Sequence, residues 1–246
     1  MDRWRALFQQ LHERGQTMPD TLRLRLHRAI SWGVRATAEA DPDARFLFFW
    51  IAFNAAYAQE LPHEEKEWQR FRRFIEKIVA LDRTDVRRLE DCIEDVDFAE
   101  AFLSLVDNRY VHRRFWDVAC GGFSRQEWEQ QFRREQRDAR WHLEQKNTRQ
   151  VLLLALERLY LLRNQIVHGG ATWASSVNRM QVEDAATLME RITPIVVAVM
   201  LAHPEQDWGS PQYPPVDSDA RPDAVRMSPW QERWQKWMQA LGRKAR

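Results

Sequence analysis

Between Leu61 and Thr193 the chain carries a single proline, Pro62, and nowhere does it offer an Asn-Gly or Asp-Gly pair. Proline lacks the amide donor that a helix interior needs, and Asn-Gly or Asp-Gly is the strongest short-range hairpin signal. A long body without either is built for helices and against sheets. Only eight glycines in 246 residues point the same way. Six prolines, by contrast, crowd into a short span from Pro204 to Pro229. The expected organisation is an all-α helical bundle over 1–202, a Pro-rich irregular segment over 203–229 that wraps the surface, and an amphipathic C-terminal helix over 230–246.

Apolar periodicity predicts the individual helices. The first runs over 2–13 and stops at Gly15; the second starts after Pro19-Asp20, with Leu22, Leu26, Ile30 and Val34 on one face. Asp41-Pro42-Asp43 breaks the chain and caps a segment over 44–59 (ARFLFFWIAFNAAYAQ) that is apolar on nearly every face and belongs in a bundle centre. Its one polar interior residue is Asn54, which needs a hydrogen-bond partner if buried. Pro62 opens a charged amphipathic helix carrying Trp68, Phe71, Ile75 and Ile78. Shorter helices follow around 84–94 and 97–118. Gly121-Gly122 marks a break, and Ser124 with Glu127 reads as a capping box for a polar helix over 125–145. Helices over 149–167 and 181–202 complete the body. At the far end, Trp230, Trp234 and Trp237 share one face.

Composition excludes several functions. A formal net charge of +1 gives no global basic field, although 32 of the 37 cations are arginine. That skew has two readings: genome base composition, or a use for guanidinium in bidentate phosphate contacts and stacking. Cys92 and Cys120 form neither a disulfide framework nor a metal-ligand spacing, and no HExxH pattern occurs. Gly121-Gly122 lacks the Lys-Ser/Thr of a phosphate loop, and Ser175-Ser176 lacks a hydrolase pattern around it. No metal or other cofactor is therefore expected. Without a signal-peptide-like start or 18 consecutive apolar residues, the expected setting is cytoplasmic, with no membrane partner.

The residues with the most chemical content are Arg163, Asn164 and His168, at the end of the apolar run over 151–167 and just before Gly169-Gly170. Asn164 and His168 are four apart and share a helix face. Arg163 lies about 140° round the helix from His168, but its side chain is long and the two glycines let the last turn unwind. The helix dipole at this end favours an imidazolium. Spacing alone is cheap, because Arg137 and His142 repeat it on a charged helix that reads as a solvated face. Context separates the two pairs, since polar residues in an apolar neighbourhood cost free energy unless paired. The alternative reading makes His168 a C-capping side chain beside a glycine cap.

With its Arg-Asn-x3-His signature at Arg163, Asn164 and His168, the chain resembles the HEPN superfamily of all-α proteins. The stretches RFLFFWIAFNAAYAQ and LRNQIVHGGATWASSVNR are similar to its Apea-like bacterial branch. The resemblance covers roughly residues 20–202 in order and leaves the long middle insert, the Pro-rich segment and the tryptophan helix unaccounted for. It implies a helical bundle that forms a homodimer with the two signature helices facing each other. For many members it implies metal-independent endoribonuclease activity in toxin–antitoxin or antiviral defence, and for others an inactive module binding RNA, nucleotide or a partner protein. In the active case His168 exchanges protons, Arg163 stabilises phosphoryl charge and Asn164 orients His168 or holds a phosphate oxygen. An antitoxin or regulatory protein would then be a further partner.

RNA must also be held. Arg133, Arg137 and Arg140 fall on one helix face, and Arg109, Arg113 and Arg114 lie among Tyr110, Phe115 and Trp116. Such mixtures suit single-stranded RNA, where bases stack and phosphates meet guanidinium groups; a solvated charged face over core aromatics is the competing reading. Trp173, Asn178 and Arg179 follow the motif closely and are candidates to line the same cleft.

Overall fold

A computed structural model describes residues 2–59 and 67–211. The expected helix start at Pro62, the Pro-rich segment beyond residue 211 and the tryptophan helix lie outside the described residues. Within them the chain forms ten α-helices and no strand, apart from one isolated antiparallel bridge between Gln59 and Pro211. The helices are α1 (Asp2–Arg14), α2 (Asp20–Thr37), α3 (Pro42–Tyr57), α4 (Glu67–Thr84), α5 (Arg88–Glu94), α6 (Val96–Asp107), α7 (Arg113–Ala119), α8 (Arg125–Glu144), α9 (Thr148–Val167) and α10 (Arg179–Ala202). The fold is all-α, as the scarcity of internal proline predicts.

The helix ends follow side-chain chemistry. Asp41 accepts from the amides of Asp43 (2.8 Å) and Ala44, and Pro42 fills the first helical position, where its missing donor costs nothing. Ser124 accepts from the amide of Glu127 to open α8. The helix expected over 97–118 is instead two helices. Asn108 ends α6, and its side chain accepts from the Tyr110 amide, diverting the chain through a 3-10 turn, Arg109–Val111, before α7. Asparagine competes for the backbone in this way more readily than it continues a helix.

The centre is built by α3 and α10. Phe46, Phe49 and Phe53 of α3 are fully buried, which its all-round apolarity required. Helix α10 runs alongside α3, α2 and α6, and it buries almost every residue from Leu188 to Leu201, Pro194 included. It is long and apolar enough to span a bilayer, yet 72% of its apolar window is buried within the bundle. Helix α1 closes on α2 where Gly33 leaves room for the indole of Trp4; a Cβ there would collide with the ring.

Past α10 the chain is irregular but tightly held. Trp208 is buried, packs edge-on to Phe74, and donates its indole N–H to the carbonyl of His203. Lys77 caps its ring and reaches the carbonyl of Asp207 at 2.6 Å. The anchor beneath is Arg25, a fully buried guanidinium that meets no carboxylate among the described residues. It donates instead to the carbonyls of Ala56, Trp208 and Gly209. Burial pulls its pKa down to about 10, so the group stays charged near neutrality. One side chain thus joins α2, the end of α3 and residues 203–211. Arg25→Leu would strand these carbonyls; we expect a loss of about 3 kcal/mol, seen in urea as a lower midpoint at similar slope. An unchanged midpoint would show that the carbonyls find other donors.

Candidate functional site

Helix α9 presents opposite chemistry on its two sides. Inward it buries Leu152, Leu156, Leu159 and Leu162, together with the charged Arg158. Outward, Glu157, Tyr160, Leu161 and Asn164 recur at helical spacing along one wall of a cleft of about 520 Å³. The opposite wall comes from α3, where Trp50, Asn54 and Tyr57 repeat at intervals of four and three. Trp68 and Phe71 of α4 close the floor, stacked at 5.3 Å and 17° between planes. Val111 and Arg113 form the rim.

Two of the three signature residues belong to this cleft. Arg163 is half-buried, donates from Nη1 to Asn164 Oδ1 at 2.7 Å, and holds its guanidinium 5.9 Å from the ring centre of Trp50. The long arginine turns to its neighbour rather than back along the helix. The third residue behaves differently. His168 is exposed and does not line the cleft. The last turn does not unwind at the glycines; they close it. The amide of Gly169 bonds to Ile166 O (3.2 Å) and that of Gly170 to Gln165 O (2.6 Å), with Gly169 at φ +72°. This double closure is a Schellman stop, which needs a left-handed residue and so selects glycine. Among the described residues the cap is made by backbone amides, with no hydrogen bond from the His168 side chain to the last carbonyls. Its ring stands in solvent, on the side of the helix that Asn164 occupies. Of the three polar groups expected in a buried neighbourhood, Arg163 and Asn164 are half-buried at the cleft and His168 is exposed.

The candidate RNA-binding residues are dispersed. Arg113 reaches the cleft rim. Arg109 lies over Tyr110 at 4.9 Å and donates to its hydroxyl, while Arg114 pairs with Asp117 at 3.2 Å. Arg140 pairs with Asp107 at 2.5 Å. Arg133 and Arg137 are exposed on α8, and Arg133 lines a shallow depression with Arg109 and Arg125. The residues after the motif turn to the start of α3 rather than into the cleft. Trp173 donates to Asp41 at 2.6 Å and Arg179 pairs with the buried Asp43 at 2.7 Å. Asn178 stands at the start of α10 with a buried Oδ1 that has no partner. Trp173 and Arg179 tie this segment to the start of α3, and none of the three residues lines the cleft where they were expected.

Sequence reasoning missed the inner polar cluster. Arg158, 1% exposed, donates to Glu135 Oε2 at 2.6 Å, and His112, also buried, meets the same oxygen at 3.0 Å. Trp128 donates its indole N–H to His112 Nδ1, which places the ring proton on Nε2, facing Glu135. Gln131 bonds the other carboxylate oxygen at 2.8 Å. The signal was present as a charge pair, Glu157-Arg158, inside an otherwise apolar run. Among the described residues no group of three His, Cys, Asp or Glu side chains is placed to hold a metal.

Compared with protein-family models, curated proteins and solved structures, the chain matches none.

Burial pushes the Glu135 carboxyl up, but the His112 hydrogen bond and the charge and hydrogen bond of Arg158 outweigh it and hold the group at about 2. A carboxylate depressed in the fold adds stability above its unfolded value near 4.5, and loses it as pH falls toward 2. The gap corresponds to about 3 kcal/mol. Stability should fall steeply between about pH 5 and pH 2, and Glu135→Gln should be weaker at neutral pH with a flatter acid limb. An acid limb as steep in the variant would place that dependence on other groups.

Proposed function

We propose that this chain is a metal-independent endoribonuclease of the HEPN type, a toxin or antiviral effector that cleaves RNA by attack of the 2′-hydroxyl on the adjacent phosphate. The observation that carries the reading is the Arg163–Asn164 pair. It faces a cleft of nucleotide size from the same helix end that exposes His168. Arg163 supplies paired N–H donors for charge developing on the phosphoryl oxygens, and Asn164 an amide for a non-bridging oxygen. His168 moves the proton. The 2′-oxygen forms a bond to phosphorus as the 5′-oxygen leaves, giving a 2′,3′-cyclic phosphate and a 5′-hydroxyl. One proton must be removed and another delivered, and one motif has one imidazole. A second copy supplies the other, and exposed Val167, next to His168 in the chain, with Trp173, Val177 and Met180 on the segment that follows, offers apolar surface for it to cover.

One observation favours a second reading, a non-catalytic module that binds RNA, nucleotide or a partner protein. His168 stands outside the cleft that its two companions line. The two readings part on turnover. We expect the purified protein to cleave RNA in EDTA, and Arg163→Ala or His168→Ala to lower the rate at least about a hundredfold with the fold intact by circular dichroism. Full activity in His168→Ala would refute the assignment. Saturable RNA binding without turnover would establish the second reading.

A further inference from the structure

The cleft has more in it than a phosphate site needs. Its walls are aromatic on three helices: Trp50 and Tyr57 on α3, Trp68 and Phe71 on α4, Tyr160 on α9. Phe71 and Trp50 are buried, while Trp68 is 40% exposed and stacks on Phe71, so the outer side of its indole is open to a ligand. A flat aromatic platform with guanidinium groups nearby accepts a planar heterocycle carrying an anion, which is the chemistry of a nucleotide.

The polar groups are also arranged by kind. Arg163 and Asn164 sit at the C-terminal end of the α9 wall, with Arg113 on the rim. Glu157 sits two turns earlier on that wall, about 10 Å along the axis from Asn164. That separation is comparable with the reach from the pairing edge of a purine to its phosphate. A phosphate at Arg163 would thus leave the base edge near Glu157, with Asn54 across the cleft on α3. Glu157 is half-buried and has no ion-pair or hydrogen-bond partner among the described residues, so its oxygens are available to a ligand.

An ionised carboxylate only accepts hydrogen bonds. Among the four RNA bases, guanine alone presents two adjacent donors, N1–H and N2–H, to a single carboxylate. Adenine and cytosine offer one donor beside an acceptor, and uracil one donor between two acceptors, which a carboxylate repels. We propose that the cleft between α3, α4 and α9 is a guanine-selective nucleotide pocket. Glu157 grips the N1 and N2 edge, Trp68 stacks on the base and Arg163 with Arg113 holds the phosphate. The role of Arg163 rests on the ribonuclease reading above, in which this pocket selects the nucleotide beside the scissile bond. The recognition of the base by Glu157 and Trp68 does not.

Titration calorimetry of the full chain with 3′-GMP, 3′-AMP, 3′-CMP, 3′-UMP and inorganic phosphate tests the pocket directly. We expect 3′-GMP to bind at least tenfold more tightly than the other three, and phosphate more weakly than any nucleotide. Glu157→Gln replaces two acceptors by one acceptor and one donor. It should abolish the guanine preference and shift it toward adenine, while Trp68→Ala weakens all four nucleotides alike. Equal affinities across the bases, a guanine preference that persists in Glu157→Gln, or no nucleotide binding at millimolar concentration would each overturn the proposal. Cleavage and selectivity also fail separately. RNA cut without regard to guanine would remove the pocket and leave the reaction; guanine-selective binding without cleavage would leave the pocket and remove the reaction.

Discussion

The arrangement of the cleft depends on one buried contact, the ion pair from Arg158 to Glu135. A guanidinium in an apolar interior carries a desolvation cost of several kcal/mol unless a carboxylate and further hydrogen bonds compensate it. Glu135 does so from α8, and His112 and Gln131 complete the shell of that carboxylate. The contact therefore joins α8, α9 and the 3-10 turn after α6. Its second effect is rotational. Arg158 can satisfy its charge only when α9 turns that side inward, and Glu157, one residue earlier, is then carried to the cleft wall. Tyr160 and Asn164 follow at the spacing of the helix. One inward charge thus sets which residues of α9 face the cleft.

The same contact positions the rim. His112 is held between Trp128 and Glu135, and the neighbouring residues Val111 and Arg113 border the cleft. Gln165 donates to the carbonyl of Tyr110 at 2.7 Å, fastening this turn to the end of the signature helix. The diversion of the chain at Asn108 has a consequence here. A continuous helix over 97–118 would carry Arg113 away along its own axis, whereas the break brings it to the mouth of the cleft. Local hydrogen bonding by one asparagine and global burial of one histidine act together to make the rim.

Much of this was legible in the sequence, and the residues show why. The bundle was readable because proline scarcity and apolar period are strong local signals, and α3 followed from a segment with no polar face. Asn54 stood out for the same reason, as the one polar residue inside that segment, and it lines the cleft. Arg163 and Asn164, singled out by the motif, also line it. What could not be read was direction. A guanidinium looks alike in sequence whether it faces solvent, as Arg137 does, or lies at the centre of the bundle, as Arg25 and Arg158 do. Partners tens of residues away, such as Glu135 for Arg158 or Trp208 for Arg25, leave no local pattern. Trp173 and Arg179 were assigned to the cleft by proximity in the chain, and their acidic partners at the start of α3 drew them elsewhere.

The position of His168 bears on how such a site is completed. Its helix stops where it does because Gly169 takes the left-handed conformation and the amides of Gly169 and Gly170 satisfy the last carbonyls. That closure is backbone-determined, so the imidazole is not needed for capping and is left without a structural duty. The ring is held at a fixed helix end, four residues from an amide that lines the cleft. Its chain neighbour Val167 is 53% exposed, and Trp173, five residues on, is 74% exposed. The chain therefore places Arg163 and Asn164 at the cleft and leaves the imidazole on the exposed surface at the adjoining helix end.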